Sequence, residues 1–135
     1  MDFITWKDSF SVGVISIDDQ HRNLVRMIND LYVEFYKGIS DDFLKKLIAE
    51  LEKYTVYHFN YEEKFMKLYG FSGYAEHKKE HESFIEKIGS YKEILSKSNK
   101  TAVIDFATFL KDWLLKHIMG TDKKYMKLFT EKGME

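Results

Sequence analysis

The segment at residues 51–62, LEKYTVYHFNYE, decides the fold, because its side chains recur at the period of an α-helix. Leu51, Thr55, His58 and Glu62 follow one another at intervals of three or four residues. Side chains at this spacing lie on one face of a helix, so His58 and Glu62 point the same way, one turn apart. The segment therefore predicts an amphipathic helix with two metal-ligand side chains on its buried face.

The same period runs through four segments of the chain. Their stripes comprise positions 21, 24, 28, 31 and 35; 44, 48, 51, 55, 58 and 62; 77, 81, 84, 88, 91 and 95; and 103, 106, 110, 113 and 117. The breaks between them fall at Gly38, at Gly70 and Gly73, at the polar stretch 96–100, and at Gly120. Ser40 or Asp41 is a candidate N-cap for the second helix. Zero prolines and only 7 glycines favour helices throughout.

These patterns predict an all-α fold, an antiparallel up-down-up-down four-helix bundle with short connections. We expect one domain over residues 1–135, with residues 1–18 forming an N-terminal extended arm and the bundle spanning about 19–119. A short C-terminal helix is expected within about 120–135, around Tyr125, Leu128 and Phe129.

Composition excludes several classes of function. A net charge of −1 gives no electrostatic case for binding nucleic acid or an anionic membrane. We find no long apolar run and no signal-peptide pattern, and the absence of cysteine fits a reducing compartment, so we expect a cytoplasmic protein. Without cysteine, a transition-metal site must be built from imidazole and carboxylate groups.

All five histidines lie on the helical stripes, and the alternating helix directions bring them to one end of the bundle. Two carboxylates join them, so the candidate metal ligands are His21, His58, Glu62, His77, His81, His117 and Asp122. Seven ligands are too many for one tetrahedral ion and suit two metals that share bridges. Carboxylates can bridge through two oxygens, which makes Glu62 and Asp122 the bridging candidates. Iron, zinc, copper and manganese all accept such ligands.

Asp122 does not follow the helical spacing. It comes five residues after His117, which on an ideal α-helix would turn it about 140° away. Gly120 lies between them, and we expect it to let the helix unwind and bring the carboxylate back.

The combined pattern resembles the hemerythrin family, in particular its single-domain bacterial members. The matching motifs are Trp6, Val12-Gly13, Asp18-Asp19-Gln20-His21, His58-Phe59-Asn60-Tyr61-Glu62, His77-Lys78-Lys79-Glu80-His81 and His117-Ile118-Met119-Gly120-Thr121-Asp122. The resemblance implies a non-haem di-iron centre that binds O2 reversibly.

The resemblance also implies roles for individual residues. One iron ion would be held by His77, His81 and His117. The other would be held by His21 and His58 and keep an open position for O2. Glu62, Asp122 and an oxo or hydroxo group would bridge the two. The implied O2 pocket is apolar and consists of Leu24, Phe59, Trp113, Leu114 and Ile118.

We therefore expect a protein for oxygen transport, storage or delivery rather than an enzyme. An O2 or NO sensor using the same di-iron site is the main alternative, and peroxidase-like or NO-reducing turnover is a third. We expect a monomer whose partner is O2, with room for an unidentified O2-accepting protein. Residues 77–81 also match the zinc-protease motif H-x-x-E-H. We reject that interpretation, because Glu80 would lie off the ligand face and four other candidate ligands would go unused.

Overall fold

The computed structural model describes residues 3–38, 40–95 and 100–135. Its main elements are α1 (Ile15–Tyr36), α2 (Asp41–Leu68), α3 (Tyr74–Leu95), α4 (Lys100–Lys116) and α5 (Lys123–Glu131). A 3₁₀ turn at Asp8–Phe10 precedes α1, and a π-helical turn at His117–Thr121 joins α4 to α5. Residues 96–99 of the predicted break at 96–100 lie outside the described residues, and its last residue, Lys100, is the first residue of α4.

The helices form the predicted four-helix bundle. α1 packs against α2 and α4, and α3 packs against the same two helices, so neighbours along the chain are neighbours in space. This cyclic order is the up-down-up-down arrangement expected for short connections. In the part of the chain that the structure describes, no helix is long and apolar enough to span a bilayer.

Local chemistry explains where α2 begins and where α1 ends. Of the two candidate caps, Ser40 is the one used, since its Oγ accepts a hydrogen bond from the Phe43 amide at 3.3 Å. Gly38, just beyond α1, has a φ of 74°, a left-handed conformation that glycine adopts without steric cost.

The N-terminal arm is shorter than the sequence predicted, because α1 begins at Ile15 rather than near residue 19. Asp18, in the first turn of α1, holds the preceding chain against the helix. Its Oδ1 accepts from the Val12 amide at 2.8 Å, and its Oδ2 accepts from the Ser11 hydroxyl at 2.5 Å. Ile17 lies four residues before His21 and extends the first stripe backwards, so the early start of α1 is consistent with a helical period that the prediction began only at residue 21.

Two apolar clusters fill the interior. The larger cluster occupies the bundle and includes Ile28, Ile88 and Phe106. A smaller cluster, which includes Ile17 from α1, Met66 from α2 and Tyr125 and Phe129 from α5, covers the end where α5 folds back. The predicted C-terminal helix therefore belongs to the packed structure, and Tyr125 brings its ring to the candidate ligands.

Candidate metal centre

All seven predicted ligands meet at one end of the bundle, and all are buried. α1 supplies His21, α2 supplies His58 and Glu62, and α3 supplies His77 and His81. The π turn supplies the last two, with His117 at its start and Asp122 directly after it. The five histidines and Glu62 lie on the inner faces of their elements, as the helical spacing predicted, while Asp122 reaches the same place against that spacing.

The ligand atoms form two overlapping groups. Within each group the potential ligand atoms lie within 4.8 Å of one another. The first group comprises Glu62, His77, His81, His117 and Asp122, and the second comprises His21, His58 and Glu62. Glu62 belongs to both, so the structure contains two adjacent sets of ligands rather than one.

Asp122 connects the two groups through its two oxygens. Oδ1 lies 2.9 Å from Nε2 of His77 and 3.0 Å from Nε2 of His117. Oδ2 faces the other way and lies 3.1 Å from Nε2 of His21. One carboxylate therefore presents one oxygen to each group, which is the arrangement that a bridging ligand requires.

Glu62 lies between the groups in a different way. Its Oε1 is 2.8 Å from Nε2 of His58 and 3.7 Å from Nε2 of His81. Its Oε2 accepts a hydrogen bond from the hydroxyl of Tyr125. A carboxylate oxygen has a second lone pair, so Oε2 can accept this bond and still bind a cation.

The π turn, rather than the glycine, brings Asp122 back to the ligand face. The Asp122 amide donates to the His117 carbonyl at 2.8 Å, an i→i+5 bond that stacks residues five apart as an α-helix stacks residues four apart. Gly120 has no left-handed φ, and a Cβ there would meet nothing within 4 Å. The predicted return of the carboxylate is therefore present, but its cause is a π turn that does not need glycine.

Several buried atoms of the cluster form no hydrogen bond among the described residues, although some lie close to one another. Nε2 of His21 and His77 and both oxygens of Asp122 face each other at 2.9–3.1 Å without forming a hydrogen bond, and Oε1 of Glu62 faces Nε2 of His58 at 2.8 Å in the same way. Nδ1 of His21, His77 and His117 also has no hydrogen-bond partner in the part of the chain that the structure describes. The Nε2 atoms of His81 and His117 also lie only 3.1 Å apart. Leaving a buried polar group unsatisfied costs about 1–3 kcal/mol. Metal ions bound between the facing atoms would satisfy them. The nitrogen and oxygen atoms of the cluster therefore fit the pair of metal ions that the sequence predicted.

Comparison with known proteins agrees with this geometry. The family model described as "Hemerythrin HHE cation binding domain" matches residues 12–129. The chain belongs to the hemerythrin family. It is 34% identical to a bacteriohemerythrin of Clostridium acetobutylicum, over 90% of this chain and 97% of that one. It is 37% identical to a myohemerythrin of Riftia pachyptila, over 89% of this chain and 88% of that one.

Solved hemerythrin structures have the same fold. A wild-type hemerythrin crystal structure superposes with a TM-score of 0.85 at 28% sequence identity, covering 95% of this chain and 98% of that chain. The four-helix bundle of this chain is thus the fold of solved hemerythrins.

Electrostatics keep the two carboxylates of this hemerythrin's cluster ionised. Burial lowers the pKa of His58 and His81, which favours neutral imidazole with a free lone pair. Burial and the neighbouring Asp122 raise the pKa of the Glu62 carboxyl, but His58 and His81 outweigh them and the pKa falls to about 2. Burial also opposes ionisation of Asp122, yet His117, His21 and His77 hold its pKa well below the usual value. Burial lowers the pKa of His117, but Asp122 and Glu62 outweigh it and raise that pKa, so His117 would have to lose a proton to bind a metal.

Three side chains that the sequence did not identify as partners of the ligands contact them. Tyr125 donates to Glu62 at 2.5 Å, Gln20 lies 2.6 Å from Nδ1 of His58, and Glu63 lies 2.9 Å from Nδ1 of His81. Gln20 and Glu63 directly neighbour ligands in sequence, and Gln20 is also part of the matched motif Asp18-Asp19-Gln20-His21. Tyr125 could be placed in an apolar stripe but not beside Glu62.

The five predicted pocket residues differ in their contacts. Leu24, Leu114 and Ile118 are buried members of the large apolar cluster. Phe59 stacks on His81, with ring centroids 3.7 Å apart, and Trp113 stacks on His117 at 4.4 Å. Phe59 and Trp113 thus cover the imidazoles of the larger ligand group. Their role as an O2 pocket stays a prediction.

Glu80 lies on the outer side of the cluster. Its Oε2 is 3.6 Å from Nδ1 of His117, and its side chain is 49% exposed. The Nε2 atoms that converge inside the bundle are thus out of its reach. This position agrees with our exclusion of a zinc-protease site, in which Glu80 would be the base.

Proposed function

We propose that this chain holds two iron ions in the buried cluster and binds O2 reversibly at them, for oxygen transport, storage or delivery. His77, His81 and His117 would hold one ion, and His21 and His58 the other. Glu62 and Asp122 would bridge the pair together with an oxo or hydroxo group. When bound, the iron pair supplies the electrons that O2 binding needs and recovers them on release.

One observation carries the proposal: Asp122 presents Oδ1 to His77 and His117 and Oδ2 to His21. This division supports two metal positions that would share a carboxylate. The two ligand groups also differ in their number of histidines, which leaves the His21–His58 position with fewer protein ligands. A metal with fewer protein ligands retains room for a small exogenous ligand.

The chemistry of the ligands favours reversible binding over oxygen activation. Di-iron carboxylate proteins of the ferritin-like type combine four glutamates with two histidines. Here the proportions are reversed, with five imidazoles and two carboxylates. Fewer anions offset less of the positive charge on the metals, which disfavours the high oxidation states needed to cleave the O–O bond.

Apolar side chains keep the centre dry. Leu24, Leu114 and Ile118 are buried, and Phe59 and Trp113 cover two imidazole faces. An apolar surround slows the entry of water and protons, which would otherwise convert bound O2 to free peroxide. These five residues are proposed as the O2 pocket on that basis.

The direct test combines iron analysis with optical spectroscopy. Purified protein is reduced anaerobically, and its spectrum is followed as O2 is added and removed. We expect two irons per chain and a visible band that appears with O2 and disappears on degassing. A single oxidation without recovery would contradict a carrier and favour a sensor or turnover chemistry. One zinc ion and no colour would exclude the di-iron proposal.

A pair of carboxylate variants adds a control. Asp122→Asn keeps the shape of the side chain but removes the charge that would be shared between the metals, so we expect loss of iron and of the O2-dependent band. Asp18→Asn alters another buried carboxylate, whose partners are Ser11 and Val12 rather than histidines. It should destabilise the N-terminal arm and retain two irons. Equal iron content in both variants would contradict the proposed role of Asp122.

A further inference from the structure

The outer nitrogens of two ligand histidines have partners of different charge. Nδ1 of His58 lies 2.6 Å from Oε1 of Gln20, an uncharged amide. Nδ1 of His81 lies 2.9 Å from Oε2 of Glu63, a carboxylate. Gln20 is buried, and Glu63 is only 15% exposed, so solvent screens neither contact strongly. His58 in the smaller ligand group and His81 in the larger one therefore differ in the charge behind their imidazoles.

Both contacts orient the imidazoles for metal binding. An amide or carboxylate oxygen can only accept, so the proton of each neutral ring must lie on Nδ1. The lone pair is then on Nε2, which in His58 faces Oε1 of Glu62 at 2.8 Å and in His81 faces the larger ligand group. Gln20 and Glu63 thus select the same tautomer on opposite sides of the centre.

The two partners differ in how strongly they polarise the ring. A carboxylate draws the Nδ1 proton towards itself, which gives the imidazole more anionic character and makes Nε2 a stronger donor. A neutral amide does this far less. A metal bound to the more basic imidazole is stabilised in its higher oxidation state, so the partner of each ring influences the reduction potential of the metal that it binds.

We propose that Gln20 is a positioning residue that keeps the His21–His58 metal easier to reduce than the metal held by His77, His81 and His117. Glu63 has the opposite effect on the other metal. This inference rests on the proposed function, since it requires a redox-active metal in each group. In this proposal the charge of the side chain at position 20 or 63 sets the potential, while the hydrogen bond from the imidazole orients the ring.

The test exchanges the charges of the two partners. Gln20→Glu adds a carboxylate behind His58, and Glu63→Gln removes one from behind His81. The readouts are iron content and the midpoint potentials of the iron-loaded protein. We expect Gln20→Glu to lower the potential and Glu63→Gln to raise it, each by about tenfold in the reduction equilibrium, or about 59 mV for a one-electron couple.

Two controls separate charge from structure. Glu52→Gln removes a charge from α2, the helix that carries Glu63. Glu52 pairs with Lys92 far along the bundle, so this substitution should leave the potentials unchanged. Gln20→Leu removes the hydrogen bond without adding charge, and it should weaken iron binding because His58 loses its orientation. If Gln20 only held the structure together, both Gln20→Glu and Gln20→Leu would change the iron content, and Gln20→Glu would not shift the midpoint potential.

The outcomes distinguish this inference from the proposed function. Wild-type protein that binds fewer than two irons would contradict the proposed function itself. The wild type and both charge variants could each bind two irons, yet have midpoint potentials that stay constant or move in the same direction. That result would overturn only the role of the outer partners, Gln20 and Glu63. Opposite shifts in those two variants, with no shift in Glu52→Gln, would establish it.

Discussion

The hydroxyl of Tyr125 donates a hydrogen bond to Oε2 of Glu62 across 2.5 Å, in the buried end of the bundle. The bond joins α5 to α2 and satisfies one oxygen of the carboxylate that belongs to both ligand groups. The Tyr125 ring also stacks on His77, with centroids 5.6 Å apart. One side chain thus links the C-terminal helix to the ligands.

Tyr125→Phe tests the strength of this link. The substitution keeps the ring and leaves Oε2 of Glu62 buried without its donor, so the metal-free protein should lose about 1–3 kcal/mol of unfolding free energy. Urea denaturation of chelator-treated protein measures the loss. Tyr57→Phe, at a tyrosine that is 55% exposed, is the matched control and should change stability by less than about 0.5 kcal/mol. Equal effects in the two variants would contradict a structural role for the bond.

Acid should destabilise the metal-free protein in two stages. Burial lowers the pKa of His58 and His81, which makes stability fall as the pH drops below 6.5, because the unfolded chain takes up protons first. The raised pKa of His117 acts in the opposite direction in the same range, so the loss in this first stage should be small. The pKa of Glu62 is lowered from 4.5 to about 2, so its contribution is lost as the pH falls from about 4.5 towards 2. That second contribution is on the order of 3 kcal/mol.

Denaturation of chelator-treated protein at a series of pH values measures these stages. Glu62→Gln has no carboxylate to protonate at this position, so its stability should fall less steeply than that of the wild type below pH 4.5. Parallel curves for the two proteins in that range would show that Glu62 does not contribute.

Gly120→Ala tests whether the π turn needs a glycine at position 120. A Cβ at position 120 would meet nothing within 4 Å, and its φ is not left-handed. The variant should keep the iron content of the wild type and gain up to about 1 kcal/mol of stability, because alanine loses less backbone entropy on folding. Iron analysis and urea denaturation together test this. Loss of iron would show that Asp122 reaches the centre only with glycine at position 120.

Leu114→Gln tests the dry surroundings of the centre. Leu114 is buried in the large apolar cluster together with Phe59 and Ile118. An amide there would donate hydrogen bonds and admit water, which is the source of protons, so loss of the O2-bound spectrum through autoxidation should become several-fold faster. Leu68→Gln, at a leucine that is 65% exposed, is the control and should autoxidise at the wild-type rate. An unchanged rate in Leu114→Gln would contradict the proposed pocket.

The helical period alone determined which residues could meet. Spacings of three and four placed His58 with Glu62 and His77 with His81, and alternating helix directions put every histidine at one end of the bundle. The structure brings all seven predicted ligands together, because buried faces and short connections leave a four-helix chain few other ways to pack. Residues that follow a regular period can be read from sequence in this way.

Tertiary structure decided the features that depart from this period or depend on distant parts of the chain. The π turn at His117–Thr121 has no distinctive composition, and the N-terminal arm is held against α1 by Asp18. The contact of Tyr125 with Glu62 spans 63 residues, and that of Gln20 with His58 spans 38. Such contacts depend on how each helix is rotated about its axis and shifted along it relative to its neighbours. Side-chain packing across the whole core sets these two quantities, and they cannot be predicted from the spacing of residues within one helix.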